Sequence, residues 1–173
     1  MIVDQSDGAE PTPSSNDDAP LKLEQFLPYR LNVVASLVSQ ALSRIYAQRY
    51  SIGVPEWRIL VTLGQFGIMT GKAIGEHSHM HKTKVSRAVA LLEKRKLIVR
   101  HANRDDLRES FLALTATGRT MYADLAPIAL EFTERLSEAI EPADRAAFER
   151  AIDRLTDRSA MLSAEVAKGR RGD

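Results

Sequence analysis

The chain has 173 residues, 44% of them hydrophobic and 27% charged, which suits one globular core or one core with an appended helical piece. It has no cysteine, so disulfides, thiolate zinc sites and thiol redox sensors are excluded. The formal net charge of +1 is nearly neutral, no apolar run approaches about 18 residues, and no basic segment precedes an apolar one at the N-terminus, so a cytoplasmic protein without membrane association is expected.

The small net charge hides an asymmetry. Residues 1–20 contain Asp4, Asp7, Glu10, Asp17 and Asp18 and no Lys or Arg, so the rest of the chain carries +6. Rich in Pro, Ser, Asp and Gly, this stretch is expected to be a disordered acidic tail, because it has too little apolar surface to offset its ordering entropy. Residues 21–50 follow as the N-terminal helix of a dimerisation layer. Leu27, Leu31, Val34, Val38, Ala41 and Ile45 recur at alternating steps of four and three, predicting an amphipathic helix over roughly 28–49 with Pro28 in its first turn.

Gly53 ends that helix, and Pro55 suits the first turn of a second one reaching about Phe66. A third, short helix is expected from near Thr70, capped by its side chain, to the histidines of "EHSHMH". The fourth runs from about Lys82 to Arg95. Val85, Ala88, Val89 and Leu92 make its apolar stripe, while Thr83, Arg87, Ala90 and Lys94 share another face. "LIVRH" and "SFLALT" have strand alternation, Leu97 with Val99 and Leu112 with Leu114, around a tip "ANRDDLRE". Thr115 is placed to cap a fifth helix bearing Met121, Leu125, Ile128, Phe132, Leu136 and Ile140. Pro142 opens a sixth with Phe148, Ile152, Leu155, Leu162 and Val166. These two form C-terminal dimerisation helices over 116–168, ahead of a tail at 169–173.

Residues 51–115 therefore combine two short helices, the second basic, with a hairpin whose tip is also basic. Between positions 82 and 108 lie nine Lys or Arg residues and three acids. A helix of this kind fits the major groove of DNA while hairpin arginines reach the minor groove, the arrangement of a winged helix-turn-helix. The expected fold is mainly α with a small β-hairpin wing and a helical dimerisation layer. Over residues 26–167 the sequence resembles the MarR family of bacterial transcriptional regulators, through "KTKVSRAVALLEKRKLI", the wing "DDLRESFLALT" and the "ATG" after it. The resemblance implies DNA contacts by Lys82, Thr83, Lys84, Ser86 and Arg87 on the recognition helix and by Arg104 and Arg108 at the wing, with Asp106 orienting Arg108. Many members of the family have Gly where Lys96 stands and Arg where Leu107 stands. The chemistry of the residues agrees: Arg87 can bond guanine bidentately, Thr83 and Ser86 can bond bases or phosphates, and the lysines suit phosphates.

The resemblance also implies a repressor, homodimeric on an inverted repeat of double-stranded DNA, released by a small aromatic acid or its coenzyme A thioester. Ligand-binding candidates near the first two helices are the aromatic Tyr29, Tyr46 and Trp57 and the cationic Arg30, Arg44, Arg49 and Arg58. The aromatics have core packing as their alternative, and the arginines a solvated helix face. A ligand-independent architectural DNA-binding protein is the rival function. An enzyme is not expected, since there is no phosphate-binding Gly loop, no G-x-S-x-G turn and no cysteine nucleophile. No cofactor is expected, and no metal either, because histidines at i, i+2 and i+4 cannot share one helix face.

Overall fold

The computed structural model describes residues 20–102 and 109–169, and the chain divides into two compact units between Gln40 and Ala41. The first unit holds a 3-10 turn, Leu23–Gln25, and the beginning of α1 (Leu27–Tyr50), with Pro28 in its first turn. Leu27, Leu31, Val34 and Leu37 of that helix are exposed in the single chain.

The second unit begins with the end of α1. It continues with α2 (Val54–Phe66), β1 (Met69–Thr70), α3 (Gly71–His77), α4 (Lys82–Lys94), β2 (Ile98–Ala102), β3 (Ser110–Leu114), α5 (Ala116–Ser137) and α6 (Pro142–Gly169). The strands form an antiparallel sheet in the order β1-β3-β2, with Met69 opposite Leu112 and Ile98 opposite Leu114. The core is built from Ile59, Leu60 and Leu63 of α2, Ile74 of α3, Val85, Ala88, Val89 and Leu92 of α4, and Leu112 and Leu114 of β3, with Met121 and Leu125 of α5 closing it. No described helix is long and apolar enough to cross a membrane.

Each helix starts at the residue whose side chain or ring suits a start. Pro55 lies in the first turn of α2, and Glu56 accepts from the Gly53 backbone N–H at 2.8 Å. Thr70 accepts from Ala73 N at 3.1 Å, and Thr115 from Gly118 N at 3.0 Å. The ends are less ordinary. Leu97 N donates to Leu92 O and Lys96 N to Glu93 O, the paired bonds of a Schellman ending, with Lys96 left-handed at φ 58°. The same pattern closes α3, where Met80 N reaches Gly75 O, His79 N reaches Glu76 O and His79 has φ 51°.

That ending corrects the expected strand register. Leu97 is not a strand residue alternating with Val99; it is the apolar residue that packs back on its own helix, beside the buried Leu92. Ile98 then opens β2 as a buried residue and Val99 points outward. Strand β1 was not foreseen, since two residues are too short to show a period. Thr115 fastens the other side of this turn. Its N–H donates to Leu97 O at 3.0 Å and its hydroxyl to Lys96 O at 2.8 Å. Gly118 lies so close to the Leu97 carbonyl that a Cβ there would collide with it, which explains the glycine of "ATG".

A lysine in the left-handed region is strained, and glycine is not. Lys96→Gly is expected to raise stability by about 0.5 to 1 kcal/mol, less than the full conformational strain because glycine is also freer in the unfolded chain. Urea denaturation checks this; a loss of stability would show that the Lys96 side chain contributes more than its backbone conformation costs.

Candidate nucleic-acid interface

Helix α4 is amphipathic with its two faces clearly divided. Val85, Ala88, Val89 and Leu92 are all at most 4% exposed, whereas Lys82, Thr83, Lys84, Ser86, Arg87 and Ala90 are exposed. The side chains of Lys82, Lys84, Ser86 and Arg87 have no hydrogen-bond or ion-pair partner among the described residues. Cations with no internal acceptor are free to meet an external anion. The helix has 13 residues, about 20 Å at 1.5 Å per residue, and its solvent-facing side presents these donors along one stripe.

Its N-terminus is capped by His81, whose Nδ1 accepts from Thr83 N at 3.4 Å. The three histidines of "EHSHMH" thus have separate surroundings: His77 sits edge-on to Phe66 with ring centroids 4.4 Å apart, His79 makes the left-handed ending of α3, and His81 starts α4. A groove of about 680 Å³ separates α3, α4 and the sheet, bordered by Lys72, Lys82, Ser86 and Arg100 with Glu76 and Glu109. Lys72, which lines this groove, was not singled out in the sequence, because α3 is too short for its faces to be read from periodicity.

Arg100 on β2 joins the wing to α4. Its Nε and Nη2 donate to the two carboxylate oxygens of Glu93 at 3.0 and 2.9 Å, and Nη1 donates to Ser110 Oγ at 2.9 Å. The hydrogen bonds from Arg100 hold the Glu93 carboxyl below its ordinary range, and Glu93 in turn raises Arg100. The wing candidates Arg104, Asp106 and Arg108 lie outside the described residues.

The ligand candidates are more dispersed. Tyr46 is 2% exposed and stacks on Trp57, centroids 5.2 Å apart and planes 14° from parallel, so each ring spends a face on the other. Burial raises the Tyr46 phenol above its usual value. Arg58 donates to Ser78 O at 3.3 Å, Arg49 lies over the Tyr50 ring at 5.7 Å, and Arg44 is exposed. Tyr29 and Arg30 are exposed residues of the first unit. A smaller cavity of about 330 Å³, lined by Tyr50, Thr117, Thr120, Met121 and Asp124, includes none of the seven.

Two short helices, a solvent-facing cationic stripe on the second and an antiparallel hairpin after it define a winged helix-turn-helix DNA-binding protein. Residues 52–110 match the model of the MarR family. A MarR/EmrR family transcriptional regulator from Acinetobacter sp. ADP1 is similar in structure, with TM-score 0.74 and 25% identity over 82% of this chain and 99% of its own. BpsR of Bordetella bronchiseptica, whose DNA binding is regulated by 6-hydroxynicotinic acid, has TM-score 0.71 and 18% identity over 80% and 99%. NadR, solved in complex with 4-hydroxyphenylacetate, has TM-score 0.64 and 19% identity over 83% and 97%. None of the curated proteins matches the chain. The likeness to the MarR family thus covers residues 52–110 in sequence and most of the chain in fold.

The Glu93–Arg100 pair gives a pH-dependent contribution of known sign. A carboxyl depressed in the folded state stabilises above its unfolded pKa, and the contribution is lost as pH falls through the folded value. Both side chains are partly exposed, 30% and 51%, so the pair is expected to contribute only about 0.5 to 1 kcal/mol near neutrality. Glu93→Gln should therefore be less stable than wild type at pH 7, and the gap should close as the pH drops below the ordinary carboxylate range. Urea midpoints measured across that range test it; a gap independent of pH would assign the loss to packing.

Proposed function

We propose that the protein is a homodimeric repressor that reads an inverted repeat with α4 and is released by a small aromatic acid or its coenzyme A thioester. The observation that carries the DNA-reading half is the stripe of Lys82, Thr83, Lys84, Ser86 and Arg87, exposed and with side chains that have no partner among the described residues. Arg87 takes a base edge, Thr83 and Ser86 bases or phosphates, and Lys82 and Lys84 phosphates. On the same proposal Arg104, Asp106 and Arg108, which lie outside the described residues, contribute the wing's contacts, with Arg108 offered to the minor groove. The protein works in the cytoplasm.

Apolar seams left open on the helices outside the core support the dimer. Leu31, Val34 and Leu37 of α1, Leu130 and Leu136 of α5, and Phe148, Ile152, Met161, Leu162 and Val166 of α6 are each at least 40% exposed in the single chain. No residue of α6 is buried. Apolar helix faces left open on this scale are normally covered by a partner subunit. Residues 21–50 and 116–168 are accordingly assigned to dimerisation and 51–115 to DNA binding. The ligand reading is supported by two structural relatives, one regulated by 6-hydroxynicotinic acid and one solved with 4-hydroxyphenylacetate. Its candidate contacts remain Tyr29, Arg30, Arg44, Tyr46, Arg49, Trp57 and Arg58, with the arginines offered to carboxylate or phosphate. Because Tyr46 and Trp57 already stack, a ligand there would meet the outer face of Trp57 rather than slide between the two rings.

Sequencing the genomic DNA that the purified protein retains supplies an operator, and two substitutions then divide the labour of α4. Arg87→Ala should cost about 1 to 3 kcal/mol at the operator and relax base preference, whereas Lys82→Ala should weaken all sequences alike and reduce the salt slope by about one. Equal losses on operator and random DNA for Arg87→Ala would move Arg87 to a phosphate.

The effector is tested by calorimetry of aromatic acids and their thioesters with and without operator. Coupling of about 1 to 3 kcal/mol changes operator affinity roughly 5- to 150-fold and must act reciprocally on the ligand. No binding across the panel, or binding indifferent to DNA, supports the ligand-independent architectural protein instead.

A further inference from the structure

The C-terminal ends of α1 and α4 meet around one side chain. Arg95, which follows the last residue of α4, donates from Nη2 to Tyr50 O at 2.7 Å and from Nη1 to Ser51 O at 3.1 Å, more than forty residues back in the chain. Both helices stop in a left-handed residue, Ser51 at φ 51° and Lys96 at φ 58°. The last carbonyls of a helix carry the negative end of its dipole, so two such ends repel unless a cation lies between them. A guanidinium does this and, with its planar fork, also fixes direction by bonding two carbonyls together. Lysine would supply the charge without the fork.

Tyr50 is held at a second point. Its phenol donates to Asp124 Oδ2 on α5 at 2.6 Å, while its carbonyl is held by Arg95. One residue therefore connects the DNA-reading helix, through Arg95, with α5, through Asp124. None of these groups belongs to the exposed stripe of α4.

We propose that Arg95 is a positioning residue for DNA recognition: it locks α4 to α1 and α5 and so fixes the separation of the two recognition helices and the half-site spacing the protein accepts. The inference rests on the homodimeric reading above. One added base pair between half-sites displaces them by about 3.4 Å and about a tenth of a turn, which a rigid joint penalises and a loose one tolerates.

The chain lacks cysteine, so Leu91→Cys, at a 46% exposed position of α4, gives a single attachment point for a spin label in each copy. In the full chain, Arg95→Ala should broaden the distance distribution between the two labels. It should weaken operator binding roughly 2- to 30-fold and flatten the preference among operators lengthened or shortened by one base pair, with the salt slope unchanged. Arg95→Lys should show the same broadening and flattening, and it decides the matter if the alanine variant does not fold. Distances and spacing preference that stay as in wild type, in the folded variants, overturn the joint and leave the dimer standing. If the labelled wild type shows no dipolar coupling, the homodimer fails, and the joint fails with it.

Discussion

Helix α4 is gripped from one side only, and that burial determines where its opposite face looks. Val85, Ala88, Val89 and Leu92 are enclosed by α2, α3 and the start of β2. Each larger aliphatic side chain contributes on the order of 1.5 to 3 kcal/mol by leaving water. Turning the helix by one residue, about 100°, would bring Ser86 or Arg87 toward that core. A buried guanidinium without a partner costs several kcal/mol. The direction of Arg87 is therefore set by apolar residues on the opposite face, and substitutions of Val85, Ala88, Val89 or Leu92 act on the exposed face through the orientation of the whole helix.

The same helix has to stop at a defined point, and its stop is also where the wing and α5 attach. The Leu97 carbonyl receives the Thr115 N–H, the Lys96 carbonyl receives the Thr115 hydroxyl, and Gly118 fits against the Leu97 carbonyl where no larger residue would. Arg100 then fixes the base of the wing to Glu93, the penultimate residue of the helix. Helix α4, the wing and α5 all leave from this one turn, so its backbone carbonyls add to the apolar core in setting their mutual angles.

Periodicity and capping chemistry made most of this legible in advance. Pro28, Pro55, Thr70, Thr115 and Pro142 each stand at or beside the start of a helix, and the α4 stripe was visible as spacing alone. What escaped was short or distant. Strand β1 exists because Met69 and Thr70 pair with Leu112 and Phe111, a relation across forty residues that two residues cannot announce. Leu97 was misassigned because an apolar residue packing back on a helix end looks, in sequence, like the first residue of a strand. Arg95 was read only as the end of a helix, since its partners, the carbonyls of Tyr50 and Ser51, belong to the backbone and leave no mark in the side-chain pattern. Lys72 was missed for a related reason, a helix too short to show a face.

On the proposed reading, the effector need not disturb the exposed stripe at all. Hydrogen bonds to a charged group are worth about 1.5 to 3 kcal/mol each, the same size as the coupling that separates tight from weak operator binding. A ligand that favours an arrangement in which Arg95 loses one of its two carbonyls would therefore suffice, while Lys82, Thr83, Lys84, Ser86 and Arg87 stay as they are. Base recognition and its regulation can then occupy different parts of one fold, the first on the outer face of α4 and the second at its C-terminal joint. Affinity for a single half-site belongs to the face, and affinity for two half-sites at the right distance belongs to the joint, so the response of a two-fold operator to small changes in angle follows from α4 being anchored at its end.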